Sequence, residues 1–98
     1  MVDSEQNNNK NRSSETLVHK MNFSTFILSL NSSVLINLGL IEDPFLKKKD
    51  KNLILAKQSI DIIDMLFEKT KGNLTKEEDS FIKNILFELR MLYVKEKN

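Results

Sequence analysis

Cysteine is absent from the 98-residue sequence, which excludes disulfides, thiolate metal sites and cysteine nucleophiles. Tryptophan is absent too, and histidine occurs once, so few side chains are on hand for a catalytic or metal centre. Two Gly and one Pro are too few for a turn-rich β fold, and the abundance of Leu, Ile, Lys and Glu favours helices. Charge of one sign is lacking as well. Fifteen Lys and Arg offset fourteen Asp and Glu, for a formal net charge of +1, so no strong overall field draws nucleic acid or an anionic membrane. No apolar core follows promptly behind a basic start, so a secretory signal is not expected. The length has room for one domain and little more.

What is present divides into a polar tail and a helical part. Residues 1–21 open with "MVDSEQNNNKNRSSET", whose only apolar residues are Met1 and Val2. Such a segment buries too little surface to offset its ordering entropy, and it reads as a disordered tail. Residues 22–98 read as an all-α domain of three helices. Asn22 or Ser24 caps the first, and Gly39 stands where a left-handed residue ends one. Glu42-Asp43-Pro44 then sets a turn, and Asp50 or Asn52 caps a second helix running to Lys71, closed by Gly72. Thr75 and Glu78 form a capping box for a third helix from Lys76 to about Lys95. The link "KGNLT" is short, so helices two and three are expected to form an antiparallel hairpin.

The segment from Met21 to Ile41 carries no charge, in a chain where 30% of residues are charged. Its length approaches that of a membrane span, but eight of its residues are Ser, Thr or Asn and no aromatic or basic anchors flank both ends. No integral membrane segment is expected. On a helical wheel Phe26, Ile27, Leu28, Leu30, Val34, Leu35 and Leu38 share one arc, opposite Thr25, Ser29, Ser32, Ser33 and Ile36. Hydroxyls can return to the backbone carbonyl one turn back, and Ser29-x-x-x-Ser33 lets another helix approach closely. The expectation is a first helix lying between other helices. The second helix has a stripe of Leu53, Ala56, Ile60, Ile63 and Phe67, with Leu55, Ser59, Ile62 and Leu66 beside it. The third presents Phe81, Ile82, Ile85, Leu86, Leu89, Leu92 and Tyr93 on one side and Phe87, Met91 and Val94 on the other. Three short helices cannot cover all this apolar surface, so self-association or a standing partner is expected.

"FSTFILSL" (23–30), Leu38-Gly39, "LAKQSIDIIDML" (55–66), "EKTKGNLT" (68–75) and "LRMLYV" (89–94) together resemble the bacterial domain of unknown function 1844 family. The resemblance implies a short all-helical protein of bacterial, cytoplasmic origin without an assigned activity. It brings no catalytic residues with it. The Asn-rich tail and "FLKKKDK" (45–51) look like departures from the family pattern.

Each candidate site competes with a plain structural reading. His19 stands alone among potential ligands and reads as a solvated side chain. Four lysines interrupted by Asp50 in "KKKDK" (47–51) could touch phosphate but read first as solubilising. Asp61 and Asp64 read as ion-pair partners on a strip with Lys57 rather than as an acid–base pair. "KTKGNLT" lacks the strand and spacing of a phosphate-binding loop, and a helix C-cap followed by a capping box explains it. Arg90 either binds a carboxylate at an interface or covers apolar surface with its stem. The leading expectation is a non-enzymatic interaction module, a homo-oligomer or partner of another protein, with no cofactor, metal or nucleic acid. Its interface residues would be Phe87, Met91, Val94, Arg90, Ser29 and Ser33. Two alternatives differ in class. One is a small enzyme or ligand-binding protein with a pocket between helices one and three, built from Ser29, Ser33, Arg90 and Tyr93. The other is membrane-surface association through the first helix.

Overall fold

Asparagine begins two of the three helices in the computed structural model, which describes residues 21–98. The expectations for residues 1–20, including His19, lie outside the described residues. The Asn22 side chain accepts the Thr25 N–H at 2.8 Å and opens α1 (Phe23–Asn37). Asn52 accepts the Leu55 N–H at 3.0 Å and opens α2 (Leu53–Lys69). Both oxygens satisfy amides that have no partner inside their helix. Thr75 and Glu78 complete a reciprocal capping box at the start of α3 (Lys76–Lys97). Glu77, Glu78 and Asp79 in its first turn and Lys95 and Lys97 in its last both complement the helix dipole.

α2 ends at Lys69, two residues before the Lys71 expected from the stop signal at Gly72. The Thr70 hydroxyl donates to the Leu66 carbonyl at 2.6 Å, and Lys71 N–H turns back to the Glu68 carbonyl. Gly72 then reverses the chain at φ +86°, and α2 and α3 lie as an antiparallel hairpin. At this end Lys71 and Lys83 sit over the Phe67 ring, 5.4 and 6.0 Å from its centroid, shielding a half-buried aromatic from water.

The core lies where the three helices meet. α1 contributes Ile27 and Val34, with Leu38 just beyond its last turn; α2 contributes Ala56, Ile60 and Ile63; α3 contributes Ile82, Ile85, Leu86 and Leu89. These positions follow the rows read from helical spacing. The position of α1 does not follow the expectation. Thr25, Ser29, Ser32 and Ser33 are exposed, and so are Phe26 and Leu28 at the edges of the apolar arc. α1 is therefore not enclosed by other helices of its own chain. The other two helices cover one side of it only, and the Ser29 hydroxyl, facing water, donates to the Phe26 carbonyl at 2.7 Å.

Gly39 and Gly72 both need a left-handed backbone, at φ +77° and +86°, but they differ in surroundings. A Cβ on Gly39 would stand 3.3 Å from the Lys51 Cβ, whereas one on Gly72 would meet nothing within 4 Å. Gly72→Ala is expected to cost about 1 kcal/mol, from its dihedral alone. Gly39→Ala is expected to cost more, because the chain must also give way at Lys51. For a domain of this size each kcal/mol lowers the melting temperature by roughly 4–8 °C. Thermal melts of the two variants check the order; equal losses would count against the close approach at Lys51.

Candidate functional site

α3 is amphipathic in an unusual way: it is apolar on two sides. Leu86 and Leu89 point into the core, while Phe87, Met91 and Val94 point outward. These three are 65%, 59% and 52% exposed, so α1 does not cross over to cover them. They stand at i, i+4 and i+7, one above the other on the same helical face. With Lys83 and Arg90 they line an open depression of about 450 Å³. Its centre is apolar and its rim carries cations, the arrangement common at protein interfaces.

Arg90 is anchored within the chain. Its guanidinium meets Asp64 of α2 at 3.0 Å, so a carboxylate partner is supplied by the protein itself. Both side chains are about half exposed, so the pair adds little stability. Its effect is geometric: the Arg90 stem is held beside the Phe87–Val94 row. The neighbouring Asp61 pairs with Lys57 at 3.0 Å, as expected of a charged helical strip. Asp61 and Asp64 are thus engaged with separate cations. Among the described residues, no three His, Cys, Asp or Glu side chains converge as metal ligands would.

The four residues of the alternative pocket are not brought together. Arg90 and Tyr93 line a groove of about 340 Å³ with Lys57, Ile60, Asp61 and Val94, between α2 and α3. Ser33 lines a separate depression with Ile36, Asn37 and the connection at Asp43–Phe45. Ser29 is exposed and bonded to its own helix.

The sequence matches the family model "Domain of unknown function (DUF1844)" over residues 20–95, which takes in α1, α2, their connections and all but the last two residues of α3. The chain belongs to the DUF1844 family. Comparison with curated proteins and with solved structures finds no match. Within the DUF1844 region of this chain, the residues that carried the resemblance divide between core and cap positions, such as Ile27, Ile60, Leu89 and Thr75, and exposed ones, such as Phe26, Met91 and Val94. "KTKGNLT" is the turn joining α2 to α3, and "FSTFILSL" is the first half of α1. No described helix of this DUF1844 protein is long and apolar enough to cross a membrane.

One feature escaped the reading of the sequence. Phe45 is 91% exposed at the tip of the α1–α2 connection, where the sequence suggested a role only for the lysines that follow. The available signal was Asp43-Pro44 directly before Phe45-Leu46, a turn-initiating pair ahead of two apolar residues.

Proposed function

We propose that this DUF1844 protein is a non-enzymatic interaction module whose outer α3 face pairs with a second copy of the chain. The observation that carries this reading is the exposed row of Phe87, Met91 and Val94 on a 22-residue helix whose opposite side is core. A rigid helix offers such a row with little ordering cost on binding. The i, i+4, i+7 spacing is the one by which two helices interlock side chains. The row is short, and two-fold pairing doubles the apolar contact without calling on any other surface. Lys83 and Arg90 at the rim favour a defined approach over indiscriminate sticking.

α1 supports the same reading from another side. Thr25, Ser29, Ser32 and Ser33 form an exposed face without charge, and small hydroxyl residues permit close helix approach. We assign the protein to the bacterial cytoplasm, a reading that the family resemblance supports. Size-exclusion chromatography with light scattering at several concentrations tests the pairing. The expected result is a mass moving toward twice that of the monomer as concentration rises. A monomer mass at the highest concentration reached refutes it.

A further inference from the structure

The most exposed large apolar side chain among the described residues is Phe45, far along the chain from the α3 row and held out by a braced loop. Residues 40–51 leave α1 and come back to it. Asn52 N–H donates to the Asn37 carbonyl at 2.7 Å, and Lys51 lies against Gly39. A loop with its ends closed in this way is Ω-like, a form often used for binding. Its base is tied to the far end of α3, where Lys51 Nζ meets the Glu96 carboxylate at 3.0 Å and donates to the Glu96 carbonyl at 3.3 Å.

The tip is fixed by its own hydrogen bonds. Asp43 N–H donates to the Lys48 carbonyl at 2.9 Å, and Lys47 N–H donates to the Asp43 carbonyl at 2.8 Å. The Asp43 carboxylate accepts the N–H groups of Phe45 at 2.8 Å and Leu46 at 3.2 Å. Lys47 adopts φ +59° to close the turn. This scaffold holds Pro44, Phe45 and Leu46 in water, followed at once by exposed Lys47, Lys48 and Lys49.

We propose that this loop docks the protein on an anionic lipid surface, with Phe45 and Leu46 entering the interface and Lys47, Lys48 and Lys49 meeting lipid phosphates. Phe45 and Leu46 are 91% and 53% exposed, as side chains that insert between headgroups must be. Its charge complements the surface: three consecutive lysines adjoin the apolar pair, while the Asp43 carboxylate is engaged by the tip's own amides. Membrane attachment needs two signals, and an apolar insertion backed by cations supplies both. Because the turn is already ordered, docking loses little conformational freedom. Glu42 and Asp50 flank the lysines and oppose them, so binding is expected to be reversible and dependent on anionic lipid. The contact is peripheral, and it is made by the connection rather than by α1.

Co-sedimentation of the full chain with vesicles of phosphatidylcholine and phosphatidylserine tests the proposal. The expected result is binding that weakens as salt rises and is much lower on phosphatidylcholine alone. Phe45→Ser with Leu46→Ser is expected to lower the partition coefficient by about 100-fold, from the lost apolar transfer. Lys48→Glu with Lys49→Glu is expected to lower it and to abolish the weakening with salt, because the reversed charges are repelled by the anionic surface and salt screens that repulsion. Far-UV circular dichroism and the melting temperature should stay unchanged in both, since all four side chains are exposed. No binding to phosphatidylserine vesicles at any lipid concentration overturns the proposal. So does binding that survives both pairs of substitutions. A protein ligand that the serine pair abolishes, with no vesicle binding by the parent chain, would give the loop to a protein instead.

Discussion

Phe87→Glu combined with Met91→Lys is expected to leave the three-helix domain folded and to lower its self-association by at least about 30-fold, the loss typical of central interface residues. The argument rests on where the two side chains stand. More than half of each is already in water, so new charges there need not be buried in the free chain. In a pair of facing helices the same positions would be enclosed, and a charge without a partner is heavily penalised. Far-UV circular dichroism should therefore change little while the light-scattering mass falls to that of the monomer. Loss of helicity at every concentration would contradict the exposed placement of the row. Unchanged association with full helicity would move the contact to another face.

Leu89→Ala is expected to have the opposite signature. Leu89 lies two residues after Phe87, on the same helix, yet it is fully enclosed in the core. Truncating a buried leucine costs about 2–5 kcal/mol, through lost transfer energy and the cavity left behind. In a domain of under 100 residues that is a drop in melting temperature on the order of 10–30 °C. A protein of this size has only a few kcal/mol in hand, so Leu89→Ala would leave a large unfolded fraction at moderate temperature. A melting temperature within a few degrees of the parent protein would show that the site collapses around the missing atoms. Comparing the two sets of variants separates the inner and outer sides of one helix.

Local chemistry made most of the fold legible. Asn22, Asn52 and the Thr75–Glu78 pair act as caps because their side chains reach amides three residues away, a relation that sequence spacing records directly. Ala56, Ile60 and Ile63 are buried together because the period of a helix puts them on one face. The same period says nothing about what stands opposite that face. Ser29 and Ser33 could be placed together and recognised as small, but not assigned to a neighbour, and the expectation of an enclosed α1 failed there. For Arg90 the sequence left two readings open, a carboxylate at an interface or an apolar surface under its stem. Its partner Asp64 is on a different helix, and the pairing depends on how far α2 and α3 are rotated about their axes. Phe45 stands out only once the Asp43 hydrogen bonds are known, because they turn an ordinary loop sequence into a fixed projection.

The lopsided cover of α1 bears on how the molecule comes apart. The α2–α3 hairpin is joined by six residues, 70–75, while α1 is joined to α2 through residues 38–52. Two helices of a short-linked hairpin can remain associated after a third has swung away, and such sub-global openings cost less than complete unfolding. α1 is therefore the expected first unit to open, and its amides are expected to exchange with deuterium before those of Ile85, Leu86 and Leu89. Uniform protection along all three helices would rule out that order. The detached segment would be a neutral run of Leu, Ile, Phe and Ser with no lysine or glutamate to keep one copy from another. Electrostatic repulsion between chains would be weakest there, so irreversible clumping on warming is expected to start from the neutral stretch at residues 21–41.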